Sequence, residues 1–289
     1  MATGDIRIGI SGWRYPPWRG DFYPDGLSQK NELAFVGKEF PAVEINGTFY
    51  SLKRPENFEK WAGEVPDDFI FAVKGSRFIT HMKQLRDIEA PLGNFFAQGV
   101  LGLGNKLGPF LWQFSPRFRF DPERMEAFLT LLPHDTDAAS RLARKHDARV
   151  TGRARLKAPT PMKLRHAVEI RHHSFVDPAF IRLLRKHRTA LVCADTVDWP
   201  RLMDVTADFV YCRLHGSEEL YASGYGDAEL DIWADRVKAW ARGSEPKDAE
   251  RVIDKAGLRR AKRDVFVFFD NDRKVRAPYD ARTLIAKTR

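Results

Sequence analysis

Eight short runs of apolar, β-branched or aromatic residues recur along the chain, at Ile6–Ile10, Ala42–Ile45, Ile70–Val73, Phe110–Phe114, Ala167–Arg171, Ala190–Ala194, Phe209–Leu214 and Val265–Phe269. Each has the length of a strand, and helical or loop material separates them. Helix patterns cover Asn31–Glu39 and Pro55–Glu64. Asp121 followed by Pro122 is an N-cap with proline at the first helical position, predicting a helix to about Leu131. Asp177-Pro178 repeats that signal before Ala179–Lys186. Asp227 precedes Leu230–Arg242, where Trp233, Val237 and Trp240 share one helical face, and Pro278 is expected to open the last helix. Strand–helix alternation repeated eight times predicts a parallel sheet that can close on itself. The expectation is an α/β chain forming one (β/α)₈ TIM-type barrel domain over residues 1–289. A doubly wound open sheet is the alternative. It would normally place a glycine-rich turn after its first strand, where this chain has Ser11-Gly12-Trp13-Arg14-Tyr15. Gly102-Leu103-Gly104 precedes a strand instead of following one, the wrong context for a dinucleotide turn, so no cofactor is expected.

Successive side chains of a strand face opposite ways. If Val168 and Ile170 face the helices, Glu169 and Arg171 point into the barrel. Tyr211, Arg213 and His215 share one face, as do Glu44 and Asn46. Lys74 closes the third run, Gln113 lies late in the fourth, Asp195 ends the sixth, and Asp270 and Asn271 end the eighth. These polar residues sit toward the C-terminal ends of their strands, the rim on which barrel enzymes build their sites. Any one of them has an ordinary structural reading: a core salt bridge, a hydrogen-bonded histidine, a helix cap. Together they predict a cavity, because burying several charges is a poor way to gain stability.

Charge adds a second feature. The formal net charge is +9, but nine Lys and Arg fall between Arg141 and Arg165 and only Asp147 opposes them, so about +8 of it sits there. The region 132–166 reads as a basic helix end and exposed loop inserted before the fifth strand, broken by Gly152, Pro159 and Pro161. A solvated loop is the expectation, with weak nucleic-acid contact as the alternative. No apolar stretch is long enough to span a membrane, and Met1–Ile10 lacks a secretory pattern, so a cytoplasmic protein without membrane contact is expected. Cys193 and Cys212 lie inside apolar runs and read as small buried hydrophobes. Oligomeric state has no signal in the sequence.

Several segments together resemble the domain of unknown function 72 family, also called YecE-like, over essentially the whole chain. They are Ile8–Tyr15, Phe22-Tyr23-Pro24, Val43–Tyr50, Phe71–Lys74, Ile79-Thr80-His81, Leu107–Phe114, Val168–His172, Arg213–Gly216, Tyr221, Tyr225 and Phe268–Asp272. The resemblance implies a TIM-type barrel with these polar residues in its mouth, and it implies no reaction. Asp270 stands where many relatives carry Asn, and His172-His173-Ser174-Phe175 stands where they often carry His-Pro-Ser-Trp.

The residue set favours an enzyme acting on a small polar anion. Arg171, Arg213 and Lys74 would hold a phosphate or carboxylate, with Asn46, Gln113, Asp195 and Asn271 as further ligand contacts. Glu44, Glu169, His215 and Lys74 are the candidate catalytic groups. Trp13, Tyr15, Tyr50, Tyr221 and Tyr225 would wall the pocket. A metal-dependent isomerase or hydrolase is the alternative, since Glu44, Glu169, Asp195, His215 and Asp270 are suitable donors; the interleaved cations argue against it, and no metal is expected. A nucleic-acid-associated protein and a non-catalytic binder of small molecules are the remaining alternatives.

Overall fold

The inward and outward positions of the eight runs are built from different side chains, and that difference shapes the barrel. The computed structural model describes residues 3–254, 257 and 260–289. Its strands are β1 (Ile6–Ser11), β2 (Ala42–Ile45), β3 (Ile70–Lys74), β4 (Leu107–Gln113), β5 (His166–Glu169), β6 (Ala190–Asp195), β7 (Phe209–Leu214) and β8 (Asp264–Phe269). They pair in parallel and in chain order, and β8 returns to β1 to close the barrel. Outward residues such as Ile10, Val43, Val73, Trp112, Val168, Cys212 and Val267 join the main apolar cluster with helix residues such as Val36, Leu184, Val237 and Leu284. Inward residues form a second cluster of Ala42, Ala72, Leu111, Ala167, Val192, Tyr211, Phe266 and Phe268. On β1 the inward residue is Gly9. A Cβ there would lie 1.9 Å from the Ala42 carbonyl oxygen, so a larger residue would push β1 and β2 apart.

The helices are α1 (Glu32–Glu39), α2 (Gly47–Tyr50), α3 (Pro55–Gly63), α4 (Glu89–Ala97), α5 (Pro122–Leu131), α6 (Thr136–Ala143), α7 (Pro178–Lys186), α8 (Asp227–Ala241) and α9 (Arg276–Thr288). The Asp caps are as expected: Asp121 accepts from the Arg124 N–H and Asp177 from the Ala179 N–H. The last helix starts two residues before Pro278, because proline fits anywhere in a first turn, where no N–H is needed. Two helices lie outside the sequence expectations. One of them, α4, buries Leu92 through Ala97 without interruption, so it has no polar stripe to betray a helical period. The β6–β7 connection carries no helix among the described residues. No helix of the described residues is long and apolar enough to cross a membrane.

The basic region between α5 and β5 is docked onto the barrel. Ala139, Leu142 and Ala143 of α6, then Val150 and Leu164, are buried, and α6 packs on α4 at Gly93, where a Cβ would meet the Leu142 carbonyl at 2.9 Å. The Arg155 N–H donates to the Ala97 carbonyl at 2.8 Å and the Leu164 N–H to the His134 carbonyl at 2.9 Å. Its cations point outward: Arg141, Arg144, Lys145, Arg149, Arg155, Lys157 and Lys163 are exposed.

Candidate functional site

Inward parity continues past the apolar layers to the strand ends, where Ser11, Glu44, Lys74, Gln113, Glu169, Arg213 and Asp270 replace alanine and phenylalanine. The result has two tiers. The lower is a sealed charge network centred on Arg213, whose side chain is 0% exposed. Its Nε and Nη2 donate to the two oxygens of Glu44 at 3.1 and 3.0 Å, and its Nη1 donates to Glu169 Oε2 at 2.6 Å. Asp270 Oδ2 lies 2.9 Å from Nη2. Glu44 also accepts from the Tyr211 hydroxyl at 2.7 Å and from Ser11 Oγ at 3.1 Å. Three carboxylates thus surround one guanidinium. Burial alone would raise the Glu169 and Asp270 carboxyls, but Arg213 together with Arg171 and His215 for Glu169, and with His215 and Lys74 for Asp270, outweighs it and holds both well below the usual carboxylate range. His215 is equally buried, with Nδ1 3.1 Å from Asp270 Oδ2 and Nε2 3.8 Å from Glu169 Oε2. Neither ring nitrogen is aligned for a hydrogen bond among the described residues, and the ring packs edge-on against Trp199 and Tyr221.

Above this floor opens a cavity of about 870 Å³. Lys74, Arg171, Gln113 and Asp270 line its depths; Trp13, Tyr15, Asn46, Phe49, Tyr50 and Trp61 form the wall on the β1–β2 side; Arg14, Lys53, Arg77, Asp272 and Arg273 complete the mouth. Six lining side chains are cationic and two are acidic. Most of these cations are unsatisfied. Arg171 uses Nε on Glu169 at 2.7 Å and lies with its guanidinium carbon 4.2 Å from the Trp199 ring centroid, while its two terminal nitrogens make no hydrogen bond among the described residues. Arg77 lies over Tyr50, which is 63% exposed, and Arg273 over Tyr221; neither they nor Arg14 make an ion pair among the described residues. Lys74 sits with Nζ 4.7 Å from the Phe49 ring centroid. Burial, then the Arg213 charge, lower its ammonium to about 8. Asn46 Oδ1 and Gln113 Oε1 are buried acceptors with no partner among the described residues.

Three expected ligand contacts lie away from the cavity, two of them by strand parity. Val192 and Ala194 take the inward positions of β6, so Asp195 falls on the outer face, where it accepts from Arg201 Nη1 at 2.9 Å and Trp233 Nε1 at 3.3 Å. Asn271 likewise follows inward Asp270 and is buried outside the barrel, donating to the Ser223 carbonyl and to Asp280. Tyr225 packs on Phe269, and its hydroxyl accepts from the Gly216 N–H. The structure brings Glu44, Glu169, Arg213 and His215 together beneath the cavity lining, and Lys74, Arg171, Asn46, Gln113, Trp13, Tyr15 and Tyr50 onto it.

His81 and Asp272 are cavity residues that the sequence reading did not single out. His81 belongs to a π-helical turn, Phe78–Met82, a rare conformation often found at functional sites. Burial and the charges of Arg171, Lys74 and Arg77 lower its imidazole to about 4, so it is neutral at pH 7. Burial and neighbouring Asp270 raise Asp272 to about 6. The available signals were indirect: His81 lies in a loop with no strand parity, and Asp272 is two residues past inward Asp270. The basic region reaches this rim, since the Arg149 guanidinium lies 5.2 Å from the Phe78 ring centroid.

The family model described as "Protein of unknown function DUF72" matches residues 7–289. Among curated proteins, UPF0759 protein YunF of Bacillus subtilis is 30% identical over 137 residues, 45% of this chain and 46% of that one. UPF0759 protein YecE of Escherichia coli is 30% identical over 123 residues, 38% and 43% of the two chains. The chain spans less than half the length of these relatives in the matched stretches. The crystal structure of a DUF72 family protein from Thermotoga maritima has a TM-score of 0.71 at 23% identity, covering 98% of both chains. A DUF72 family protein from Enterococcus faecalis has a TM-score of 0.67 at 18% identity, covering 99% of this chain and 98% of that one. Both likenesses concern the fold.

Proposed function

The chain belongs to the DUF72 family, and from that premise we propose that its barrel mouth binds a small organic anion, bearing phosphate or carboxylate, and performs acid–base chemistry on it. The observation that carries this reading is the free donor capacity of the cavity's cations. Arg213 is neutralised by its own carboxylates, but Arg171 presents a free two-nitrogen fork, the geometry suited to an oxyanion. Arg77, Arg14, Arg273 and Lys74 add positive potential around the same space. The orphan acceptors Asn46 Oδ1 and Gln113 Oε1 fit a ligand that also carries hydroxyl or amine donors. Lys74 and Asp272 are shifted toward neutrality, where proton transfer is efficient, and His81 is held as the neutral imidazole. Arg213 and Glu44 act as a frame: they fix Glu169, which in turn fixes Arg171.

A catalytic metal is disfavoured by where the donors converge. The carboxylates that would ligate it meet on the Arg213 guanidinium, whose charge would repel a divalent ion. We also assign the protein, as a proposal, to the cytoplasm. Thermal unfolding with inorganic phosphate, sugar phosphates and dicarboxylates tests the reading. Millimolar anion should raise Tm, and Arg171→Ala should remove the increase, measured against the variant's own unliganded Tm. A Tm that ignores every anion, with no heat of binding by calorimetry, overturns it.

A further inference from the structure

A buried lysine normally meets a carboxylate, since an unpaired ammonium is costly to desolvate. Lys74 meets none. It is 7% exposed, it makes no ion pair or side-chain hydrogen bond among the described residues, and its ammonium lies over the Phe49 ring, 4.7 Å from the centroid. Its backbone is pinned, because the Thr48 hydroxyl donates to the Lys74 carbonyl at 2.6 Å. The side chain lines the cavity from the C-terminal end of β3, with the Arg213 guanidinium among the charges that act on it. The carboxylates of Asp270, Glu44 and Glu169 also face it, but all three are engaged by Arg213. Desolvation together with an adjacent cation is the environment that turns a lysine from a charge into a nucleophile.

We propose that Lys74 forms an imine with the carbonyl group of the anion bound in this cavity, so that the ligand class is a carbonyl-bearing organic phosphate or carboxylate. The inference rests on the anion-binding reading given above. The neutral amine adds to the carbonyl carbon; the C–N bond forms, the carbonyl π bond opens, and the oxygen takes up the amine proton. The hydroxyl of that carbinolamine then leaves as water, drawing one proton from Asp272 on the cavity wall, and a protonated C=N bond remains. Asp272 suits the step because its carboxyl, raised to about 6, keeps a proton into weakly acidic solution. Lys74 suits it because an ammonium lowered to about 8 has a neutral fraction at pH 7 about two to three hundred times that of an ordinary lysine. Arg171, with its free terminal nitrogens, would hold the anionic end of the ligand.

The experiment uses two aldehyde reagents on the whole protein, pyridoxal 5′-phosphate and 5′-deoxypyridoxal, which lacks the phosphate and cannot close to a hemiacetal, each trapped with borohydride and mapped by peptide mass spectrometry. Labelling should concentrate on Lys74 at pH 7, at least about tenfold above any other lysine, and rise with a midpoint near 8. The phosphate-bearing reagent should react faster, and inorganic phosphate should protect. Labels spread over surface lysines without enrichment at Lys74, or a Lys74 midpoint at the ordinary lysine value, overturn the imine proposal whatever phosphate does to Tm. Selective labelling of Lys74 by both reagents at equal rates, unprotected by phosphate, keeps the imine and overturns the anion site.

Discussion

Two arginines stand two strands apart on the same rim and face opposite conditions. Arg213, on β7, is enclosed: its side chain is 0% exposed and three carboxylates converge on it. Arg171, just past β5, touches one carboxylate oxygen through Nε, rests on Trp199 and leaves its other nitrogens at the cavity surface. They are linked, because Glu169 accepts from both, through different oxygens. A charge already matched has no attraction to offer a ligand, whereas breaking the match exposes its partners to full desolvation. The same side-chain type is therefore a structural element in one position and a recognition element in the other, and which it is depends on its carboxylates, not on its location at the rim.

Removing the enclosed arginine should have the largest effect. Arg213→Met keeps much of the volume but removes the counter-ion shared by Glu44, Glu169 and Asp270, leaving Glu169 with Arg171 alone. Stability should fall by roughly 3–5 kcal/mol, the range for breaking a buried pair from one side. Chemical denaturation at pH 7 measures it. A loss under about 1 kcal/mol would mean the carboxylates take up protons or water readily and that the frame is not rigid.

Removing the open arginine should cost less stability and more binding. Arg171→Ala should cost about 1–3 kcal/mol, because it leaves one buried Glu169 oxygen without a partner while Arg213 still holds the other, and should weaken phosphate binding by roughly tenfold or more, the scale of one charge-assisted contact. Neutralising Arg153, Arg155 and Lys157 on the basic region should leave phosphate affinity within about twofold at 0.15 M salt, because screening dampens exposed charges beyond about 8 Å. Titration calorimetry on both variants separates the cavity from the general positive field. Equal losses in the two would show that the anion is held by that field.

The barrel was legible because its signal is periodic. Apolar runs at the right spacing predict eight strands, and parity within them correctly turns Glu44, Lys74, Gln113, Glu169 and Arg213 inward. Parity applied to the last residue of a run is where the reading failed. Asp195 and Asn271 each sit one position after an inward residue, so they belong to the outer layer with Trp233 and Asp280. Pairing was only partly visible. A core salt bridge is an ordinary reading of Glu169 and Arg171 and they do pair, whereas nothing in the sequence shows that Asp270 reaches Arg213 as a third carboxylate beside Glu44 and Glu169. The surplus cations lie higher, on Arg14, Arg77 and Arg273, which belong to loops that no strand pattern places. His81 shares that obscurity, since a π-helical turn has no hydrophobic period.

The smallest expected effect concerns Asp272, which lines the open tier but is perturbed by the closed one. Burial and the Asp270 charge raise its carboxyl from 3.8 to about 6, so between these values the folded chain holds a proton that the unfolded chain has released. The unfolded state then binds fewer protons, and this group's contribution to stability declines as pH rises through that window and stays low above it. Asp272→Asn removes the ionisation and keeps the shape. The variant should match the parent below about pH 4 and be more stable at pH 7 by on the order of 1 kcal/mol, the gap opening between pH 4 and 6. Denaturant midpoints across pH 3.5–7.5 would trace it. Should the gap open instead with rising acidity, Asp272 is stabilised as a carboxylate by Arg273 or another cavity cation, and the proton it is proposed to give the leaving hydroxyl must come from solvent, since the His81 imidazole is already deprotonated.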